Sequence, residues 1–182
     1  MIDIVYYMGG ACGDLIAALI DNTGVEIHNG AVLHTEDRRR LKKPHTFATD
    51  EDKDSYIELV SQKYRSIPSH DLEYHIKRQH NFIAVIVNDN DVAKWAATRF
   101  KHLHNDSVWA SMSDMCGAKS VEDYAQMLID NGNLAKKHTS RIINLENVLN
   151  GDAIKSLQDI GIKDCSENIY KNWLDLQKGL FH

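Results

Sequence analysis

Phe82-Ile83-Ala84-Val85-Ile86-Val87 is a run of six apolar residues, and the next four, Asn88-Asp89-Asn90-Asp91, switch at once to turn and helix-capping chemistry. A strand with one wet face alternates apolar and polar residues, so an unbroken run predicts a strand covered on both faces, as in a parallel sheet. Beyond the turn, Val92, Trp95, Ala96, Arg99, Phe100 and Leu103 recur at helical spacing. The stretch therefore reads as strand, capping loop and helix.

The same order recurs toward the N-terminus. Ile2, Ile4, Val5, Tyr6 and Tyr7 form a β-prone run that stops at Met8-Gly9-Gly10, and Leu15, Ile16, Ala18 and Leu19 follow with helical spacing. Between Asp21 and Pro44 the turn signals Asn22-Thr23-Gly24 and Asn29-Gly30 predict a hairpin or an irregular excursion. Asp50 to Tyr64 reads as a helix with an acidic first turn, and Ser66 to Asp71 as a short strand and its exit, since Pro68 disfavours helix in the residue before it. Toward the C-terminus a helix opens at Ser120 with Asp123 and runs through Ile129, and Arg141 to Leu145 reads as a late strand. Val148 to Ile160 reads as one helix and Glu167 to Leu176 as a terminal helix anchored by Tyr170, Trp173 and Leu174. Strands alternating with helices predict an α/β fold: a three-layer open parallel sheet with helices on both faces, ligands at the carboxyl ends of the strands, and one domain over residues 1–182.

Composition agrees. A chain of 182 residues with 43% hydrophobic content can bury one substantial core, and its two prolines and ten glycines form no linker. Three cysteines without C-x-x-C spacing predict a reducing, cytoplasmic setting, and no run is long enough to span a membrane. A net charge of −5 argues against a dedicated nucleic-acid binder. The exception is Arg38-Arg39-Arg40-Leu41-Lys42-Lys43, which is either a solvated segment or a contact for phosphates, including those of nucleic acid.

The loop Gly9-Gly10-Ala11-Cys12-Gly13-Asp14 lies where strand-to-helix loops bind phosphate, because glycine lets the backbone approach and N–H groups converge at the helix start. Asp14 and Leu15 stand where a nucleotide-binding P-loop carries its lysine and its magnesium-ligating hydroxyl. A tight structural turn is the competing explanation of these glycines. Cys12 reads as a small loop residue in preference to a nucleophile, because Asp14 opposes thiolate formation. His70, His75, His102 and His104 with Asp71 have no specific metal-ligand spacing, so no metal site is assigned. Trp95, Phe100, Trp109 and Trp173 read as core residues in preference to base-stacking ones.

In the order of these pieces the chain resembles the P-loop sulfotransferases. That family has a phosphosulfate loop of the type K-S-G-T, then Lys-Thr-His-Leu-Pro, then a strand followed by Arg-Asn-x-x-Asp-Val-Ala-x-Ser. Here Ala11-Cys12-Gly13-Asp14 is followed by Pro68-Ser69-His70-Asp71 and then Val87-Asn88-Asp89-Asn90-Asp91-Val92-Ala93-Lys94-Trp95. The resemblance covers about the first 105 residues in pieces, with Ile142 to Leu145 and Glu146 a weaker echo of the last sheet element. It implies a transferase with His70 as catalytic base, 3'-phosphoadenosine 5'-phosphosulfate as donor, and a donor site at Gly9, Gly10, Ala11, Cys12, Gly13 and Asp14. The family's loop lysine and threonine map to Ala11 and Asp14, and its 3'-phosphate-binding arginine and serine to Val87 and Trp95, so cations must come from elsewhere. Arg99 and the Arg38 to Lys43 cluster are the substitutes in view.

The expected function is transfer of a sulfuryl or phosphoryl group from a nucleotide donor to a hydroxyl acceptor. One alternative is a phage-type P-loop kinase that uses ATP with magnesium on a nucleotide or a hydroxymethylated DNA base. Another is a catalytically inactive binding or inhibitory module on the same fold.

Overall fold

A computed structural model describes residues 2–22, 25–28, 31–34 and 43–180. Strands β1 (Asp3–Tyr6), β4 (Ser66–Ser69), β5 (Phe82–Ile86) and β6 (Ile142–Asn144) form one parallel sheet in the order β4-β1-β5-β6. Val5 of the central strand lies opposite Pro68 on one side and Ile83 on the other. Pro68 is tolerated because β4 ends the described sheet, where a missing N–H breaks no inner ladder. Strands β2 (Val25–His28) and β3 (Ala31–His34) pair antiparallel, as the Asn29-Gly30 signal predicts; Asn29 and Gly30 themselves, and Arg38 to Lys42, lie outside the described residues.

The period of two along each strand sorts its side chains into two cores. Val5, Tyr7, Ile83, Val85 and Ile143 join α1 (Gly13–Asp21), Ala93, Ala96 and Ala97 of α4 (Asn90–Cys116), and Tyr170 and Trp173 of α8 (Glu167–Leu180). Ile4, Tyr6, Ile67, Phe82, Ala84 and Ile86 join Val60 of α2 (Asp50–Ser61), Leu72 of α3 (Leu72–Lys77) and Ala135 of α5 (Val121–Lys136). The unbroken apolar run of β5 is thus buried on both sides, and the chain is an α/β protein built on a four-stranded parallel sheet. Helix α1 is apolar all round and buried from Leu15 through Ile20. Its end is tied to β4 by the Asp21 carboxylate, which accepts from Arg65 N–H at 2.7 Å and Ser66 N–H at 2.8 Å.

Capping chemistry places most helix starts. Asp89 accepts from the N–H groups of Asp91 and Val92 at the head of α4, and Ser120 accepts from Asp123 N–H at the head of α5. Asp123 returns its bond to Lys119 N–H, one residue before the position that a reciprocal box would use.

Four expectations are corrected. Residues 148–160 are not one helix but parts of α6 (Leu145–Leu149) and α7 (Ala153–Asp159), separated at Gly151, whose φ is +100°. Helix α5 continues past Ile129 to Lys136. Helix α4 continues to Cys116 through a break at Asn105 (φ 62°, ψ 173°), whose side chain accepts from Ser107 N–H and re-caps the second half. Helix α3, six residues long, was not anticipated. Among the described residues no helix is long and apolar enough to cross a membrane.

Candidate functional site

From β1 the chain passes to β4 on one side of it and then to β5 on the other. A parallel sheet opens a crevice at the carboxyl ends where strand order reverses in this way. Tyr7, the loop Gly9 to Asp14, and His70 and Asp71 all leave the sheet at that point.

The His70 imidazole is oriented by bonds at both nitrogens. Nδ1 is 2.7 Å from the Tyr7 carbonyl oxygen, which can only accept, so Nδ1 carries the proton and Nε2 presents its lone pair. Nε2 faces the Lys43 ammonium at 3.1 Å. Lys43 also lies 3.2 Å from Asp14 Oδ2 and donates at 2.5 Å to the Tyr7 hydroxyl, which itself donates to Asp14. The next residues, Pro44–Thr46, form a single 3-10 turn that sets the His45 ring 5.2 Å from that of His70. Lys43 thus brings a cation to the first turn of α1, where the helix itself carries the Asp14 carboxylate.

His70 retains some solvent contact but is densely surrounded by protein. This desolvation, reinforced by Lys43, pushes its pKa down to about 3, against the Tyr7 carbonyl and Asp14, which favour the charged form. His45 is lowered by burial and by Lys43. Burial and then Asp14 hold the Tyr7 phenol well above its ordinary range. Burial pushes the Cys12 thiol up to about 12, although Arg99 is close enough to oppose the shift, so the N-cap position of α1 leaves Cys12 a protonated thiol.

The loop glycines are closely packed. Gly10 has φ +88°, and a Cβ there would lie 2.1 Å from the Ala96 carbonyl oxygen of α4. A Cβ at Gly9 would meet the Phe100 ring at 2.5 Å, and one at Gly13 the Tyr7 ring at 2.1 Å. Ala11 and Leu15 are each 1% exposed. Val87 is buried and Trp95 packs against the same core, so the positions that map to the family's 3'-phosphate contacts serve the interior. On the β5 side of the loop a niche with room for about one water molecule lies between Met8, Ala11, Val87, Leu128 and Asn131.

The strand exit that carries His70 is clamped on the other side. Asp71 caps α3 by accepting from Tyr74 N–H at 3.1 Å and pairs with Lys53 at 2.7 Å. Ser69 Oγ is 2.7 Å from Nε2 of His75, and Nδ1 of His75 is 3.1 Å from Nδ1 of His80. Gln79, with φ 55°, closes α3, and His80 N–H donates to the His75 carbonyl at 3.0 Å, a helix stop that folds the second ring onto the first. His75 therefore belongs to a hydrogen-bonded chain with His80, and His102 lies exposed on α4. No group of three or more His, Cys, Asp or Glu among the described residues is arranged to hold a metal.

The structure thus gathers His70, the loop Gly9 to Asp14 and Arg99 into one neighbourhood with Lys43, one member of the cluster named as a substitute source of cations, and adds Tyr7 and His45, which sequence reasoning had not assigned to the site. The available signals were Tyr7 at the exit of the first strand and Lys43 as the cluster cation next to Pro44. At the neighbouring β5 exit, Glu146 Oε1 accepts from the N–H groups of Asn88 and Asp89 at 3.0 and 3.1 Å, so that loop is held by a side chain from beyond β6. No protein-family model, curated protein or solved structure matches this chain.

Proposed function

We propose that this protein is a sulfotransferase-like P-loop transferase that moves a sulfuryl or phosphoryl group from a nucleotide donor to a hydroxyl acceptor, with His70 as the base. The observation that carries this reading is the neutral His70, its Nε2 lone pair presented at the switch point of the sheet beside Lys43 and the head of α1. A hydroxyl attacking a sulfuryl or phosphoryl group needs a proton acceptor at the attacking oxygen and positive charge near the transferred group. Lys43 and Arg99 are cations near a loop that contains none. Because Leu15 is buried in place of a magnesium-ligating hydroxyl, 3'-phosphoadenosine 5'-phosphosulfate fits the residues better than ATP with magnesium. Lys43 points into the site, which weakens the reading of the Arg38 to Lys43 cluster as a nucleic-acid surface.

One observation favours the non-catalytic reading, a binding or inhibitory module: Gly9, Gly10 and Gly13 are each accounted for by packing against Phe100, Ala96 and Tyr7. Thermal unfolding with adenosine 3',5'-bisphosphate, ADP, ATP with magnesium, and no ligand separates the readings, since a ligand selective for the folded state raises the midpoint. Selective stabilisation by the bisphosphate is the expected result. Stabilisation by ATP with magnesium alone would favour the kinase, and no shift with any nucleotide would favour the module.

A further inference from the structure

As it stands, the site holds its base in a state unsuited to its task. Protonating His70 Nε2 would place an imidazolium against the Lys43 ammonium, 3.1 Å away, with His45 adding a second imidazole at 5.2 Å; among the described residues Asp14 opposes this at His70, and Asp71 acts on His45. Like charges at that separation repel strongly in a partly desolvated site. Lys43 meanwhile occupies the lone pair that an acceptor hydroxyl would need.

We infer that Lys43 is the residue that binds the anionic group of the donor, and that its engagement by that group releases His70 Nε2 to take a proton. The inference rests on the transferase reading above and names the residue that makes its chemistry conditional on the donor. Three features support it. The Lys43 side chain is 28% exposed, so an entering anion can reach the ammonium without unfolding the strap formed by Lys43 and the turn Pro44–Thr46. Its present partners, Asp14, the Tyr7 hydroxyl and His70 Nε2, include one carboxylate among the described residues, so an anion arriving from solvent adds a second counter-charge to the ammonium. The Tyr7 carbonyl fixes the imidazole independently of Lys43, so the ring keeps its orientation when the ammonium turns to the donor.

In the reaction, the acceptor oxygen bonds to the transferred sulfur or phosphorus. The bond from that atom to the bridging oxygen of the donor breaks, with its electron pair leaving on the nucleotide phosphate, and the hydroxyl proton goes to Nε2. Without donor, the ammonium disfavours that proton; with donor, the anion neutralises the ammonium and the proton is accepted. Base and donor are thereby coupled, which suppresses proton abstraction at an empty site.

The test follows the His70 ring nitrogens by NMR during pH titration of 15N-histidine-labelled protein, with and without saturating adenosine 3',5'-bisphosphate or ATP with magnesium. Wild type, Lys43→Met and Lys43→Arg are compared, with affinities measured by calorimetry. Bound ligand is expected to raise the His70 midpoint by at least about one pH unit in wild type, as a nearby counter-charge does. Lys43→Met is expected to show a raised midpoint without ligand, no further rise with it, and affinity weakened about tenfold or more, the usual effect of losing a charge-assisted hydrogen bond. Lys43→Arg keeps the charge and retains binding, which separates loss of the cation from damage to the strap. Equal affinity in wild type and Lys43→Met, or a His70 midpoint indifferent to bound ligand, overturns the coupling and leaves the transferase reading standing. Failure of both nucleotides to bind wild type overturns the transferase reading and the coupling with it.

Discussion

His70 and His75 lie five residues apart on either side of the β4 exit, and both are held neutral, with pKa values pushed down to about 3. They are held so by different means. The relative exposure of His75 is 0%, and its partners are the Ser69 hydroxyl and His80, which burial favours in its neutral form; together they form a chain that fixes α3 against the sheet. His70 meets solvent on one side, and its ring nitrogens are met by a backbone carbonyl and by a lysine carried on a strap. A histidine closed off by neutral partners serves the fold. One whose lone pair faces a partly exposed cation is open to an arriving ligand. Burial alone does not distinguish them; the nature of the partner does.

The largest effect separating the two should come from His75→Ala. The variant leaves a void inside the protein and strips Ser69 of a partner at a site closed to water. A loss of about 2–4 kcal/mol in urea unfolding is expected from the cavity together with the lost bonds to Ser69, which keeps its bond from Asp71 N–H, and to His80. Nucleotide affinity in the folded fraction should stay near wild type. A stability change below about 0.5 kcal/mol would show that His75 is not structural and would collapse the contrast.

Acid provides the next test, because both histidines contribute. Each has a folded pKa near 3, against about 6.5 in the unfolded chain. Between those values the unfolded state binds more protons, so stability is fully present above about pH 6.5 and is lost as pH falls toward 3. Each group should contribute a slope of up to about 1.4 kcal/mol per pH unit within that window. His75→Phe, which fills the space without titrating, should reduce the slope, with His70 and the less strongly lowered His45 and His80 supplying the remainder. If the wild-type profile between pH 6.5 and 5 is flat, the two rings are not neutral by burial and the comparison fails.

His70→Ala should cost less stability than His75→Ala, roughly 1 kcal/mol, since it gives up one hydrogen bond to a carbonyl and one to a partly exposed lysine. Its signature is functional: donor turnover should be abolished while adenosine 3',5'-bisphosphate still binds. Retained turnover would remove His70 from the proton transfer.

How much of this was readable beforehand follows the range of the interactions. The β5 strand was legible because six consecutive apolar residues admit little else, and the heads of α4 and α5 because Asp89 and Ser120 bond within three residues. The separation of α6 from α7 was local as well: Asn150-Gly151 is a turn signal, overridden in the reading by the apolar spacing around it. Helix α3 escaped because six residues are too few to show a period, and its stop depends on Gln79 adopting a left-handed conformation that glutamine rarely takes. At the site, His70 could be found from its position after a strand. Lys43 could be found only as one cation among five, because its meeting with Asp14 and His70 spans 29 and 27 residues of chain, beyond the reach of any local pattern. Nor did the sequence distinguish His75 from His70, since the partner of each ring comes from elsewhere in the fold.

The smallest stability effect, and the sharpest on the site, is expected from Asp14→Asn. Its ion pair with Lys43 is partly exposed on both sides, 28% and 29%, so its loss should cost under about 1 kcal/mol. The carboxylate nevertheless acts on an arriving anion in two opposed ways. It holds Lys43 at the head of α1, which helps, and it repels phosphate directly, which hinders. Tyr7 and His70 remain to position the ammonium when the charge is removed, whereas nothing else relieves the repulsion, so the direct term should dominate and adenosine 3',5'-bisphosphate should bind more tightly to Asp14→Asn than to wild type. Calorimetry at two salt concentrations checks this: the gain should shrink as salt rises and screens the exposed part of the repulsion. Weaker binding at both salts would mean that Asp14 is needed to aim Lys43, making the carboxylate part of the site's working geometry.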